Sequence, residues 1–81
     1  CAEISLNKIK PLKIFKWLKK NDISNKEMLK TFNCGVGFCI IIEKKNKEKV
    51  KKYFTKNFMP YEIGHISKNT KRFRLYNSIR W

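Results

Sequence analysis

The apolar positions of this chain change period several times, and each change marks a predicted element. From Leu12 to Lys20, Ile14, Phe15, Trp17 and Leu18 occupy one arc of a helical wheel and lysines the other, which predicts an amphipathic helix. Pro11 stands where a first helical turn tolerates proline, and the lysines at the far end suit the helix dipole. Asn21-Asp22-Ile23 interrupts the pattern. Ser24 followed three residues later by Glu27 reads as a capping box for a short helix that buries Met28, Leu29 and Phe32. Asn33 or Gly35 can supply the left-handed residue that stops it. Val50, Tyr53, Phe54 and Phe58 again follow helical spacing, with Asn46 as the start and Asn57 and Pro60 as the stop. Residues 61–68 alternate as a strand. Ser67 to Lys71 is turn chemistry, and Phe73 and Leu75 alternate with Arg72, Arg74 and Tyr76 as an edge strand. Residues 2–7 alternate loosely, as a strand tail or an entry loop.

The stretch from Thr31 to Ile42 departs from all of these. It begins small and polar (Asn33-Cys34-Gly35-Val36-Gly37) and closes in an unbroken apolar run. Such a run, bounded by glycine, predicts a strand buried on both faces and covered by helices. The expected class is therefore α/β (α+β), with helices packed on a mixed sheet. Gly35 and Gly37 fall on one face of an extended segment, where bare backbone admits a ligand or another chain. A doubly covered sheet needs more strands than 81 residues supply. Together with a first residue, Cys1, that is not methionine, this predicts a piece of a larger domain; a lipoprotein or an N-terminal thiol nucleophile would need processing signals not in view.

Here the residues carry a resemblance. Lys26 to Gly37 (KEMLKTFNCGVG) resembles the EMLRTFNCGVG segment of the aminoimidazole ribonucleotide synthetase (phosphoribosylformylglycinamidine cyclo-ligase) family. Ala2-Glu3-Ile4 with Pro11-Leu12 and Phe15-Lys16-Trp17-Leu18 is similar to the family's AEI…PLP.LFRWL passage, and Tyr61 to Ile66 to its W-x-IG-x-I strand. These motifs lie in the family's order and spacing across most of residues 2 to 67. The resemblance implies the C-terminal portion of a single α/β domain over residues 1–81, fading at 70–81, with the N-terminal ATP-binding domain outside it. It implies ATP-dependent ring closure of formylglycinamidine ribonucleotide in de novo purine biosynthesis by a cytoplasmic homodimer. ATP and Mg²⁺ would be bound mainly by the missing domain, and the rest of the same enzyme chain would be the main partner.

Charge offers a second class of function. Twenty Lys and Arg against six acidic residues give +14 and a pI near 10.0, the footprint of a binder of nucleic acid or anionic membrane. The alternative to the cyclo-ligase is therefore a small basic binding module. Its texture points away from specific readout. Lysine dominates, arginine stands only at 72, 74 and 80, and the lysines are spread over every predicted helix. Salt-sensitive, non-specific polyanion binding is expected, but no specific nucleic acid and no membrane partner. No apolar run reaches the roughly 18 residues needed to span a bilayer.

Candidate chemistry is sparse. Three cysteines form no disulfide framework, and with one histidine they assemble no zinc set, so buried, reduced thiols are expected. The acidic residues make no paired motif, and no catalytic residue or metal ligand is assigned. His65 lies mid-strand with no carboxylate near in sequence except Glu62, and the family motif as it resembles this stretch has no histidine there. The candidate substrate-binding residues are Asn33, Gly35 and Gly37. Exposed backbone N–H groups there suit an anion, or the glycines only turn the chain and admit a packed helix. The resemblance tilts the choice towards a cleft between two domains.

Overall fold

The computed structural model describes residues 1–81. Its sheet is organised around the N-terminal strand. Strand β1 (Ala2–Ser5) lies between β2 (Gly64–Ile66) and β3 (Phe73–Tyr76), antiparallel to the first and parallel to the second. A loosely alternating hexapeptide thus becomes the middle of the sheet, because two strands more than 55 residues away in sequence supply its ladders. Helices α1 (Lys13–Lys19), α2 (Asn25–Thr31) and α3 (Lys47–Lys51) complete an α+β architecture of helices against a three-stranded mixed sheet.

The core sits beyond the end of β1. Leu6, in a single 3-10 turn directly after that strand, is buried with Met28 of α2, Cys34 and Ile79. Phe15 and Leu18 of α1, Leu29 of α2, Phe32 directly after that helix, and Trp81 surround them half-buried. The Trp81 indole N–H donates to Asn25 Oδ1 at 2.9 Å, tying the chain's end to the first turn of α2. That helix starts as its sequence predicts: the Glu27 N–H donates to Ser24 Oγ at 3.2 Å. The Glu27 carboxylate does not close the box; it accepts from Thr31 Oγ1 at 2.7 Å one turn on.

Three expectations need correction. The run Val36–Ile42 forms no strand: Phe38 is 86% exposed and Ile41 79%, so neither face is covered. The sheet consists of β1, β2 and β3 alone, and Val36–Ile42 pairs with neither of its outer edges. The helix predicted from Asn46 is only five residues long and gains no side-chain cap from Asn46. Tyr53 and Phe58 beyond it are exposed, so nothing draws its apolar face onto the sheet. In α1, Phe15 and Leu18 pack while Ile14 and Trp17 face solvent, which leaves part of the predicted arc uncovered.

Candidate functional site

Of the three residues singled out in the sequence, Asn33 and Gly35 share one tight turn, Asn33–Val36, and Gly37 follows it. After α2, Cys34 (φ 54°) and Gly35 (φ 103°) both adopt left-handed backbone. The Val36 N–H donates to the Asn33 carbonyl at 2.9 Å, and the Gly35 N–H donates to Asn33 Oδ1 at 2.9 Å. This Asx-type bond explains an asparagine at this point: its short acceptor imitates a backbone carbonyl and holds the turn open to left-handed residues. Gly35 is required twice over. Its φ excludes most side chains, and a Cβ would sit 3.2 Å from both Leu12 N and Lys10 O. It backs onto the loop before α1. Gly37 is different. A Cβ there would meet nothing within 4 Å, so in this chain no packed helix demands glycine at that position.

The turn also places its cysteine. Cys34 Sγ points inwards, 3.7 Å from the Met28 carbonyl oxygen, and burial pushes its thiol pKa up. A neutral thiol of this kind is a poor nucleophile. Cys39 is exposed and Cys1 half-buried, so the expectation of buried thiols holds only at Cys34; all three are free.

Register alone reveals a second constellation. Glu3 on β1 is directly opposite His65 on β2 and Arg74 on β3. Its Oε2 lies 2.9 Å from His65 Nε2 and its Oε1 accepts from Arg74 Nη1 at 3.0 Å. Glu62 is the one carboxylate near His65 in sequence, yet the carboxylate that reaches His65 in the fold is Glu3. Glu62 instead accepts from Lys47 Nζ at 2.9 Å, with Lys8 Nζ at 4.0 Å. No sequence signal joins Glu3 to His65, because 61 positions of chain separate them and only strand pairing closes that distance.

Ser67 Oγ is buried and meets no partner at regular hydrogen-bond geometry, yet its closeness is the largest influence holding the Glu3 carboxyl below its ordinary value. Partial desolvation opposes it, and Arg74 and His65 add to the lowering. A lowered carboxyl stabilises the fold fully above its unfolded value and loses that contribution as pH falls through the folded one. Stability should therefore decline below the ordinary 4.5 of a glutamate. Glu3→Gln should flatten that acid limb, and urea midpoints at about pH 6 and about pH 3 read the difference. An equally steep acid limb in the variant would assign it to other carboxylates, beginning with Glu62.

Comparison with known proteins decides the family. Residues 2–76 match the model of "AIR synthase related protein, C-terminal domain". The chain belongs to this family. A phosphoribosylformylglycinamidine cyclo-ligase of Methanococcus maripaludis is 42% identical over 57 residues, 68% of this chain and 16% of that protein. The enzyme of the same name from Staphylococcus aureus strain MSSA476 is 36% identical over 70 residues, 84% of this chain and 20% of its own length. That of Pyrococcus horikoshii is 31% identical over 64 residues, 79% of this chain and 19% of the relative. The chain thus spans a fifth or less of these curated relatives. No solved structure matches it. Both the Asn33–Gly37 turn and the Glu3–His65–Arg74 row lie inside the family-matched span. Within the family's C-terminal domain, the glycine of the Ile63-Gly64 pair has a structural reason of its own: its Cα packs directly on the β1 backbone.

Proposed function

We infer that this chain serves as the C-terminal portion of a phosphoribosylformylglycinamidine cyclo-ligase, contributing to ATP-dependent ring closure of formylglycinamidine ribonucleotide in purine synthesis. The observation that carries this is the likeness to cyclo-ligases of three distant organisms over 68–84% of its length. In that role the Asn33–Gly37 turn forms one wall of the substrate cleft between two domains. Asn33 fixes the turn, Gly35 lets it seat on the Lys10–Leu12 loop, and Gly37 keeps the backbone bare for the approach of substrate. The reading places the chain in the cytoplasm, within a homodimer.

ATP supplies the driving force by activating the substrate's amide oxygen, with magnesium shielding its phosphates. This chain's residues do not fit that site: nowhere do three His, Cys, Asp or Glu side chains come together, and no phosphate-cradling loop of the Walker type is present. Nucleotide and metal would be held by parts of the enzyme outside it. No helix is long and apolar enough to cross a membrane.

The test is complementation. The chain should be co-expressed with the S. aureus cyclo-ligase trimmed of its matching segment, and ring closure assayed with ATP. We expect turnover from the pair and none above background from either part. Turnover by the chain alone, or an inert pair that is nonetheless soluble and associated, would overturn the reading.

A further inference from the structure

The loop on which Gly35 rests is itself held from a distance. Residues 9–12 have no regular structure. A Cβ on Gly35 would come 3.2 Å from both Lys10 O and Leu12 N and 3.3 Å from Leu12 Cγ, so the Asn33–Val36 turn stands where this loop lets it stand. The backbone of the loop does little to fix itself. Pro11 has no N–H, and of residues 10–12 only the Lys10 N–H finds an acceptor. That acceptor is a side chain 51 positions on, the Tyr61 hydroxyl oxygen at 3.1 Å. The Lys10 ammonium also lies over the Tyr61 ring, 4.6 Å from its centroid, so Tyr61 engages both the backbone and the side chain of Lys10.

We propose that Tyr61 is a positioning residue for the Asn33–Val36 turn: its hydroxyl fixes the Lys10–Leu12 loop, and the loop sets where the turn stands against the substrate. This rests on the function inferred above. Tyr61 has a firm base for that role. Two residues later the Ile63 carbonyl accepts from the Ser5 N–H at 2.8 Å, where the β1–β2 ladder begins. The neighbouring Glu62 accepts from Lys47 Nζ at 2.9 Å and has Lys8 Nζ at 4.0 Å. Tyr61 and Glu62 thus hold Lys10 and Lys8 from a segment tied to the sheet. An indole in this place, as in the family's W-x-IG-x-I strand, is a donor only and cannot accept from the Lys10 N–H, so the bond belongs to this chain. An exposed, neutral bond contributes little to overall stability. Its effect is on where a short loop with no other backbone anchor rests.

Amide exchange by NMR on the chain, and kinetics on the co-expressed pair, test this separately. Tyr61→Phe deletes the acceptor and keeps the ring. Exchange should quicken at least about threefold at the Lys10 amide and at least about twofold at Gly35 and Val36. The Ser5 and Phe32 amides, bonded to the Ile63 and Met28 carbonyls, should be unchanged. In the pair, KM for formylglycinamidine ribonucleotide should rise about three- to tenfold at saturating ATP while kcat stays within about twofold. Tyr53→Phe, which removes a hydroxyl from a residue 82% exposed, should move none of these. A uniform quickening across all of these amides would reduce Tyr61 to a structural role and overturn the proposal. A faster Lys10 amide beside an unmoved turn would overturn it too, as would a loosened turn with KM and kcat unaltered in an active pair; both leave the function standing. A parent pair that associates but does not turn over would defeat the function and, with it, the substrate role of Tyr61, whatever the exchange shows.

Discussion

Alanine at Gly64 should unfold the sheet. The added Cβ would collide with the Glu3 carbonyl oxygen and lie 2.9 Å from the Glu3 carbonyl carbon and 3.0 Å from Ile4 Cα. All three obstacles are backbone of the central strand, so no rotamer change relieves them, and β1 and β2 must separate. With them go the 2.8 Å bond from the Ser5 N–H to the Ile63 carbonyl and the opposition of Glu3 to His65. Overpacking of a side-chain core costs about 1–3 kcal/mol; against fixed backbone the upper end or more is expected. Only five of 81 residues are buried, which puts the total stability towards the low end of the usual range of about 5–15 kcal/mol. The melting temperature should fall by about 12 °C or more. A melt within about 2 °C of the parent's would show that the β1–β2 approach is not needed for the fold.

The turn glycines should behave oppositely to each other. Valine at Gly35 places a β-branched side chain at φ 103° and drives its Cβ against the backbone of Lys10 and Leu12. The left-handed penalty and the close contacts together predict a loss of about 2–3 kcal/mol. Valine at Gly37 meets open space and should leave stability within about 0.5 kcal/mol. If Gly37 lines the substrate cleft, the same valine should raise KM in the complemented enzyme about tenfold, with the folded fraction unchanged. Melts of both variants and steady-state kinetics of the second at saturating ATP separate these effects. A Gly37→Val enzyme with unaltered KM and kcat would remove Gly37 from the cleft. A Gly35→Val chain as stable as the parent would show that the turn does not depend on glycine.

Local chemistry was legible wherever a few neighbouring residues decide the outcome. Ser24 caps α2, Gly35 supplies a left-handed residue after it, Cys34 turns inwards, and Phe73–Tyr76 is an edge strand. The Ser24 cap and the left-handed turn depend on contacts within a turn or two of chain, so residue type and spacing carry the information. The left-handed pair includes Cys34 rather than Asn33, whose role is to accept the Gly35 N–H. Asn33, Gly35 and Gly37 read as one site in the sequence, and the fold divides them into a turn acceptor, a close-packed glycine and an open one.

Residue pattern alone carried the start of α2 at Ser24, the family motifs and an apolar run long enough to be a strand. Only the tertiary structure decided which strand is central. Ala2–Ser5 takes the middle because β2 and β3 pair on both of its edges, whereas Val36–Ile42, stronger in strand propensity, pairs with no strand of this sheet. The same holds for Glu3, His65 and Arg74. Their identities are plain in the sequence, but a charge row forms only through register, and register is set by pairing between segments far apart in the chain. Propensity acts within a segment. Burial and pairing require a partner, and whether one is present is a property of the assembled chain.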